Sequence, residues 1–136
     1  LRNVQDQLRG DLKAGILPLI NYNDGVDSTE VEQDNDNLAA RIAKALIADR
    51  LVILTDKGLM DRDNRLVKTV YEVNDEEMAL SRNCQGNGTG GMRTKLEAAK
   101  MLLSESIQTI IGDKNYGLLR LIYDAEVRTI VKNQKH

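Results

Sequence analysis

Apolar residues recur four apart at Val4, Leu8 and Leu12, which predicts an amphipathic helix over residues 2–13. Gly15 is the expected stop. The short run Ile16-Leu17-Pro18-Leu19-Ile20 predicts a strand, and Pro18 confines it to an edge or a bulge. Residues 26–34 read as acidic and irregular. Asp34-Asn35-Asp36-Asn37 then opens a second helix, with Leu38, Ile42, Ala45 and Leu46 on one face. Arg50 to Thr55 is the clearest strand in the chain, and a charged loop over 60–65 follows it. Val67, Thr69, Tyr71 and Val73 alternate as in a strand. Asn74-Asp75 can cap a short helix from Glu76 to Arg82. Further on, the pattern predicts a helix over 94–104, a strand over 106–111, a weak helix over 115–122 and a last strand from Glu126 to Val131.

This alternation of helices and strands predicts an α/β fold with a mainly parallel sheet. The strands near 16–20, 51–55 and 106–111 end in Asn21, in Thr55-Asp56 and in Gly112-Asp113. Open α/β sheets bind ligands at the carboxyl ends of their strands. Asn21-Tyr22-Asn23-Asp24-Gly25 is therefore either a ligand-facing segment or a turn rich in Asn, Asp and Gly. Asp34 to Asp36 are either helix caps or, at Asn35 and Asp36, groups facing a substrate or a nucleotide's magnesium.

Composition narrows the chemistry. A chain of 136 residues with 41% hydrophobic and 29% charged residues suits one globular domain. The only aromatic residues are Tyr22, Tyr71, Tyr116 and Tyr123, so the core must be aliphatic. A formal net charge of -2 gives no steering toward nucleic acid or an anionic membrane. No run approaches membrane-spanning length. Cys84 stands alone, which excludes an internal disulfide and points to a reducing, cytoplasmic setting. One cysteine and one terminal histidine, His136, do not support zinc ligation or histidine-based hydrolysis. The chain opens at Leu1 inside a helical pattern, as a piece of something longer would.

The stretch richest in chemistry is Gly86-Asn87-Gly88-Thr89-Gly90-Gly91-Met92-Arg93-Thr94-Lys95, with four glycines in the first six residues. Glycine lets the backbone approach a ligand closely, and a helix start offers free N–H groups and a positive dipole end. Lys95, expected in the first turn, opposes that dipole, so it implies an anionic partner. The plain alternative is a structural turn with Thr94 as helix N-cap. The stretch is neither a Walker A loop nor a dinucleotide fingerprint. A glycine loop, one lysine and several carboxylates suit phosphoryl transfer, which is mostly positioning and charge compensation. In that reading Lys95 neutralises the transferred group, while Asp24 and Asp36 orient an acceptor, its cation or other side chains.

Four segments, in this order, resemble the motifs of the amino acid kinase family, in its glutamate-phosphorylating branch. They are Pro18 to Asp24, Asp34 to Ala40, Leu54 to Leu59 and Gly88 to Lys95. The last is highly specific, and the resemblance runs from residue 2 to about residue 131. It implies part of a three-layer sandwich around a mainly parallel sheet. It also implies transfer of the ATP γ-phosphate to the γ-carboxylate of L-glutamate, the first step of proline biosynthesis, with Mg2+. By position, Asn21, Asp24, Asn35 and Asp36 resemble the glutamate-side residues, Asp36 also resembling the aspartate that organises the catalytic lysines. Thr55 and Asp56 resemble residues at the adenosine side, and Gly88, Gly90, Gly91, Met92 and Lys95 part of the ATP site, with Lys95 as the transition-state lysine. Homo-oligomerisation, and often feedback inhibition by proline, also follow from the resemblance.

The chain departs from the pattern at Tyr22, where glutamate is usual, at Gln33, where glycine is usual, and at Met60 and Asp63-Asn64-Arg65. Residues 1–136 correspond to the C-terminal, nucleotide-binding portion of the family's domain, with neither the front half before Leu1 nor a PUA domain after His136. Without that half, sheet edges or apolar faces would need cover from an N-terminal half, a partner chain or self-association. One phosphate-facing lysine would also be lost, so nucleotide binding should survive better than turnover. The rival expectations are another kinase of the same superfamily, or a catalytically silent ATP-binding or structural domain.

Overall fold

The structure, a computed structural model, describes residues 2–21, 28–82 and 91–134. Its elements are α1 (Arg2–Lys13), α2 (Ser28–Ala45), β1 (Arg50–Thr55), β2 (Thr69–Val70), α3 (Asp75–Arg82), α4 (Gly91–Leu103), β3 (Gln108–Asp113), a 3-10 turn (Lys114–Tyr116), α5 (Leu118–Tyr123) and β4 (Arg128–Val131). The sheet runs β1-β3-β4-β2. β1 pairs parallel with β3, and β2 with β4, while β3 and β4 are antiparallel. The sheet is therefore mixed, with parallel pairing predominating.

Alternation along the strands assigns the two faces. Ile53, Ile111 and Val131 face α4, where they bury Met92, Leu96 and Ala99 together with Leu59, Val70 and Val73. Ile110 and Ile130 point the other way and pack on Leu121 of α5, with Val52, Ile122 and Val127 around them. Helices thus cover both sides of the sheet, giving the three layers expected. Beside α4, and also touching β1, lies α2, joined to α4 by a seam in which Ala40, Ala43 and Ala98 pack with Leu102 and Ile107. α1 docks on the end of α2, where Gln5 Nε2 and Arg9 Nη2 donate to the Ala45 carbonyl at 2.7 and 3.0 Å. A cation is favourable at that helix terminus.

Tight turns set the direction of both helices relative to the strands. Ala48 N–H donates to Ala43 O at 2.9 Å and Ile107 N–H to Leu102 O at 3.0 Å, closing α2 and α4 just before β1 and β3. Each helix therefore runs back along the strand that follows it. The start of α4 lies where β3 finishes, and the middle of the longer α2, at Asp36, comes level with it. Beyond β1, Gly58 passes close to β3 and β4. A Cβ there would stand 2.7 Å from Thr129 Oγ1 and 3.2 Å from the Ile111 carbonyl. That approach lets the Leu59 amide donate to Thr129 Oγ1 at 2.9 Å and fixes the chain leaving the edge.

Several sequence expectations need correction. Ile16-Leu17-Pro18-Leu19-Ile20 joins no strand of the sheet; Leu17 and Leu19 are 78% and 91% exposed. An apolar run makes a strand only when a neighbouring strand takes up its backbone groups; among the described residues the backbone bond of this run is that of Ile16 N–H to Asp11 O at 2.8 Å, in the turn that closes α1. α2 begins at Ser28, so Asp34, Asn35 and Asp36 are interior to the helix rather than its caps, and residues 28–34 are helical rather than irregular. α4 begins at Gly91, which places Lys95 in the second turn rather than the first. The strand expected over Val67 to Val73 contracts to Thr69–Val70, and β3 starts two residues late because Ser106 adopts a φ of 58° in the turn. The Asn74 cap is as expected: its Oδ1 accepts from Glu76 N–H at 3.0 Å, and Glu77 Oε2 accepts from Asn74 N–H at 3.3 Å.

α1, α2 and α4 close with one hydrogen-bond pattern, in which Gly15, Ile47 and Ser106 occupy the left-handed position at φ of 78°, 51° and 58°. Only Gly15 is suited to it. Ile47 is β-branched and 77% exposed, so it carries the strain without compensating burial. Ile47→Gly is expected to stabilise the fold by about 1 kcal/mol. Urea unfolding at neutral pH measures this, and an unchanged or lower midpoint would show that Ile47 is not strained.

Candidate active site

The alanine seam determines which polar groups meet. Asp36 lies one helical turn before Ala40 on α2, and Thr94 one turn before Ala98 on α4. Small side chains let the two helices approach closely, and the polar residues one turn along are drawn together. Thr94 Oγ1 stands 2.7 Å from Asp36 Oδ2, and Lys95 Nζ 3.3 Å from the same oxygen. Both side chains also reach the Gly91 carbonyl, at 2.9 and 3.3 Å. The Lys95 and Asp36 side chains are only 12% and 13% exposed. This cluster lies at the head of α4, on the edge where β1 and β3 end.

At the same edge Asp56 follows β1 and Lys114 follows β3. Their side chains pair at 3.1 Å but are 89% and 60% exposed. Asp113 serves the backbone, its Oδ1 accepting from Asn115 N–H at 2.8 Å to start the 3-10 turn. Gly112 beside it is a close-packed position, since a Cβ there would stand 2.4 Å from Leu121 Cδ2. The edge thus combines a half-hidden ion pair with a solvated one. An ammonium at a helix start, balanced by one carboxylate, can bind and stabilise an anion whose charge changes during reaction.

The expected site residues divide into three groups. Asp36, Lys95 and Gly91 come together in one cluster. Thr55 and Asp56 stand at the carboxyl end of β1, on the same edge of the sheet. Met92 is buried among Ile53, Leu96 and Ile111, so only its backbone is available to a ligand. Asn35 and Asn21 are exposed, and Asn21 follows the segment that joined no strand. Asp24, Gly88 and Gly90 lie outside the described residues, as do Cys84 and His136. Sequence reasoning missed two participants. Thr94 engages Asp36 rather than capping its own helix, and Lys114 pairs with Asp56; both contacts depend on helix and strand register.

Shifted acidities occur away from this cluster. Burial, and secondarily Arg50, hold the Arg128 guanidinium below its ordinary value. The Glu126 amide, and more weakly Arg120, hold the Asp124 carboxyl below its own. Among the described residues, no group of three histidine, cysteine or carboxylate side chains forms a metal cage. No described helix is long and apolar enough to cross a membrane.

The two ion pairs should differ in stability. Asp36→Ala leaves a mostly buried ammonium without its counter-charge, with the Gly91 carbonyl as the remaining acceptor for it and for the Thr94 hydroxyl, and is expected to cost about 2 kcal/mol. Asp56→Ala breaks a solvated pair and should cost less than about 0.5 kcal/mol. Parallel urea titrations compare them. Equal losses would mean that the Asp36 contacts contribute no more than a surface pair.

Comparison with known proteins identifies the family. Residues 1–113 match the profile of the amino acid kinase family. A glutamate 5-kinase from Shewanella sediminis is 42% identical over 132 residues, covering 90% of this chain and 35% of that protein. A glutamate 5-kinase from Escherichia coli is 44% identical over 119 residues, covering 81% of this chain and 32% of that protein. The chain therefore spans about a third of the length of the curated relatives it matches. A crystal structure from Aeropyrum pernix K1 superposes with a TM-score of 0.61 at 22% identity, over 95% of this chain and 45% of that one, a likeness of fold. With the profile covering most of its length, the chain belongs to the amino acid kinase family.

Proposed function

We propose that this chain is the C-terminal, nucleotide-binding portion of an ATP-dependent kinase that phosphorylates the γ-carboxylate of L-glutamate in the cytoplasm, at the entry to proline synthesis. The observation that carries the reading is the Asp36–Lys95 pair at the head of α4, on the edge where β1 and β3 end. The names of its relatives support the substrate.

In this reading the phosphates lie against the start of α4, where backbone N–H groups and the helix dipole favour negative charge. Lys95 compensates the charge that develops on the transferred group. Asp36 holds Lys95 in place until the anion arrives, and keeps a mostly buried ammonium from standing uncompensated. Thr55 and Asp56, at the end of β1, serve the adenosine side. Asn21, Asp24 and Asn35 serve glutamate. Gly88, Gly90, Gly91 and the Met92 backbone form the loop over the phosphates. Magnesium would arrive on the phosphates, where it needs only one or two carboxylates from protein. Asp36 is the carboxylate beside Lys95. Association with an N-terminal half, or with further copies of the chain, would complete the domain.

A second reading is a catalytically silent ATP-binding domain. Calorimetric titration with ATP, followed by glutamate-dependent ADP release, separates the two. The chain is expected to bind ATP weakly and to turn over slowly, and Lys95→Met should weaken ATP by about tenfold, the loss of one charge-assisted contact. ATP binding without any glutamate-dependent release would favour the silent domain. Absence of ATP binding would sink both readings.

A further inference from the structure

Thr94 is the group in the cluster to which the proposed chemistry gives no role. It is 8% exposed, and its Oγ1 approaches two acceptors, the Gly91 carbonyl at 2.9 Å and Asp36 Oδ2 at 2.7 Å. A threonine near a helix start commonly bonds back to its own helix, which accounts for Gly91. That habit does not account for the shorter contact to a carboxylate on another helix. A hydroxyl has one proton to donate, and the ionised carboxylate is the stronger acceptor. The proton is therefore weighted toward Asp36.

Asp36 Oδ2 consequently receives two donors of unequal closeness, the Thr94 hydroxyl at 2.7 Å and the Lys95 ammonium at 3.3 Å. The short bond fixes the direction of the carboxylate. The long one leaves Lys95 paired but loosely held, with the Gly91 carbonyl as its other support at 3.3 Å. An ammonium held in this way can move onto an arriving phosphoryl oxygen without the carboxylate turning. With no hydroxyl on α4, Asp36 is free to rotate, and it either closes onto Lys95 or swings toward solvent. Both outcomes misplace the amine, and small misplacements of a charge-compensating group are costly.

We infer that Thr94 is a positioning residue: its hydroxyl orients Asp36 so that Lys95 stays available to the terminal phosphoryl group of a nucleoside triphosphate. The inference rests on the function proposed above and adds a residue to its machinery. It implies a distinctive signature. Lys95 faces the transferred phosphoryl group, so a disturbance passed through Thr94 affects ATP more than ADP. General damage to the fold weakens both alike.

The test measures ATP and ADP affinities by calorimetry for the chain as it stands and for Thr94→Val, Thr94→Ser and Lys95→Met, with melting temperatures recorded for each. Thr94→Ala replaces the valine variant should the latter not fold. Thr94→Val is expected to lower the ratio of ATP to ADP affinity by about fivefold, less than the full loss of one hydrogen bond to a charged group because the effect passes through Lys95, and Thr94→Ser to restore it to within about twofold. A Thr94→Val ratio equal to wild type, beside a lowered ratio in Lys95→Met, overturns the inference and leaves the proposed function standing. A serine variant as impaired as the valine variant also overturns it, because packing of the methyl group would then be responsible. A Lys95→Met ratio equal to wild type, or a chain that binds no ATP, overturns the proposed function and the inference with it.

Discussion

The structure depends above all on how closely α2 and α4 can approach. Ala40, Ala43 and Ala98 are almost wholly buried where the helices meet, packed with the larger Leu102 of α4. A seam this tight tolerates little change in volume, since close-packed interiors respond to a single added methylene. One turn along from it, the same geometry brings Asp36 to Thr94 and Lys95. Tolerance at the alanines and geometry at the polar cluster are therefore one constraint seen at two places.

The sheet supplies the second requirement, a common edge. β1 and β3 run in parallel and finish together, and α4 returns its start to that finish while α2 passes it with Asp36 in its middle. One helix start, a carboxylate from a second helix and the ends of two strands thus meet in one region. The antiparallel β4 does not disturb this arrangement. It closes the other side of β3 and supplies Thr129, which holds the Leu59 amide as the chain leaves the edge. Meanwhile the apolar residues 16–20, including Leu17 and Leu19, remain in water. An exposed run of this kind is costly and prone to association.

Much of the architecture was legible in residue order. Period-four spacing located α1, and the apolar run Leu51 to Leu54 located β1, because burial on one face or two leaves a local imprint. The Asn74 cap was legible for the same reason: Asn74, Glu76 and Glu77 satisfy one another within a single turn. Lys95 and Asp36 were identifiable as candidates because a glycine-rich approach to a helix, followed by a lysine, leaves few structural explanations.

What residue order alone determined, then, was element type and the identity of the charged candidates, since both depend on neighbours a few positions away. Tertiary structure alone decided that 16–20 would pair with no strand among the described residues, while the helix α2 reaches back to Ser28 and carries Asp34 and Asp36 inside it. It alone also decided that Thr94 would bond to Asp36, 58 residues away, rather than cap its own helix. Pairing partners and long-range hydrogen bonds depend on which surfaces pack together, and no local pattern encodes a neighbour that distant in the chain.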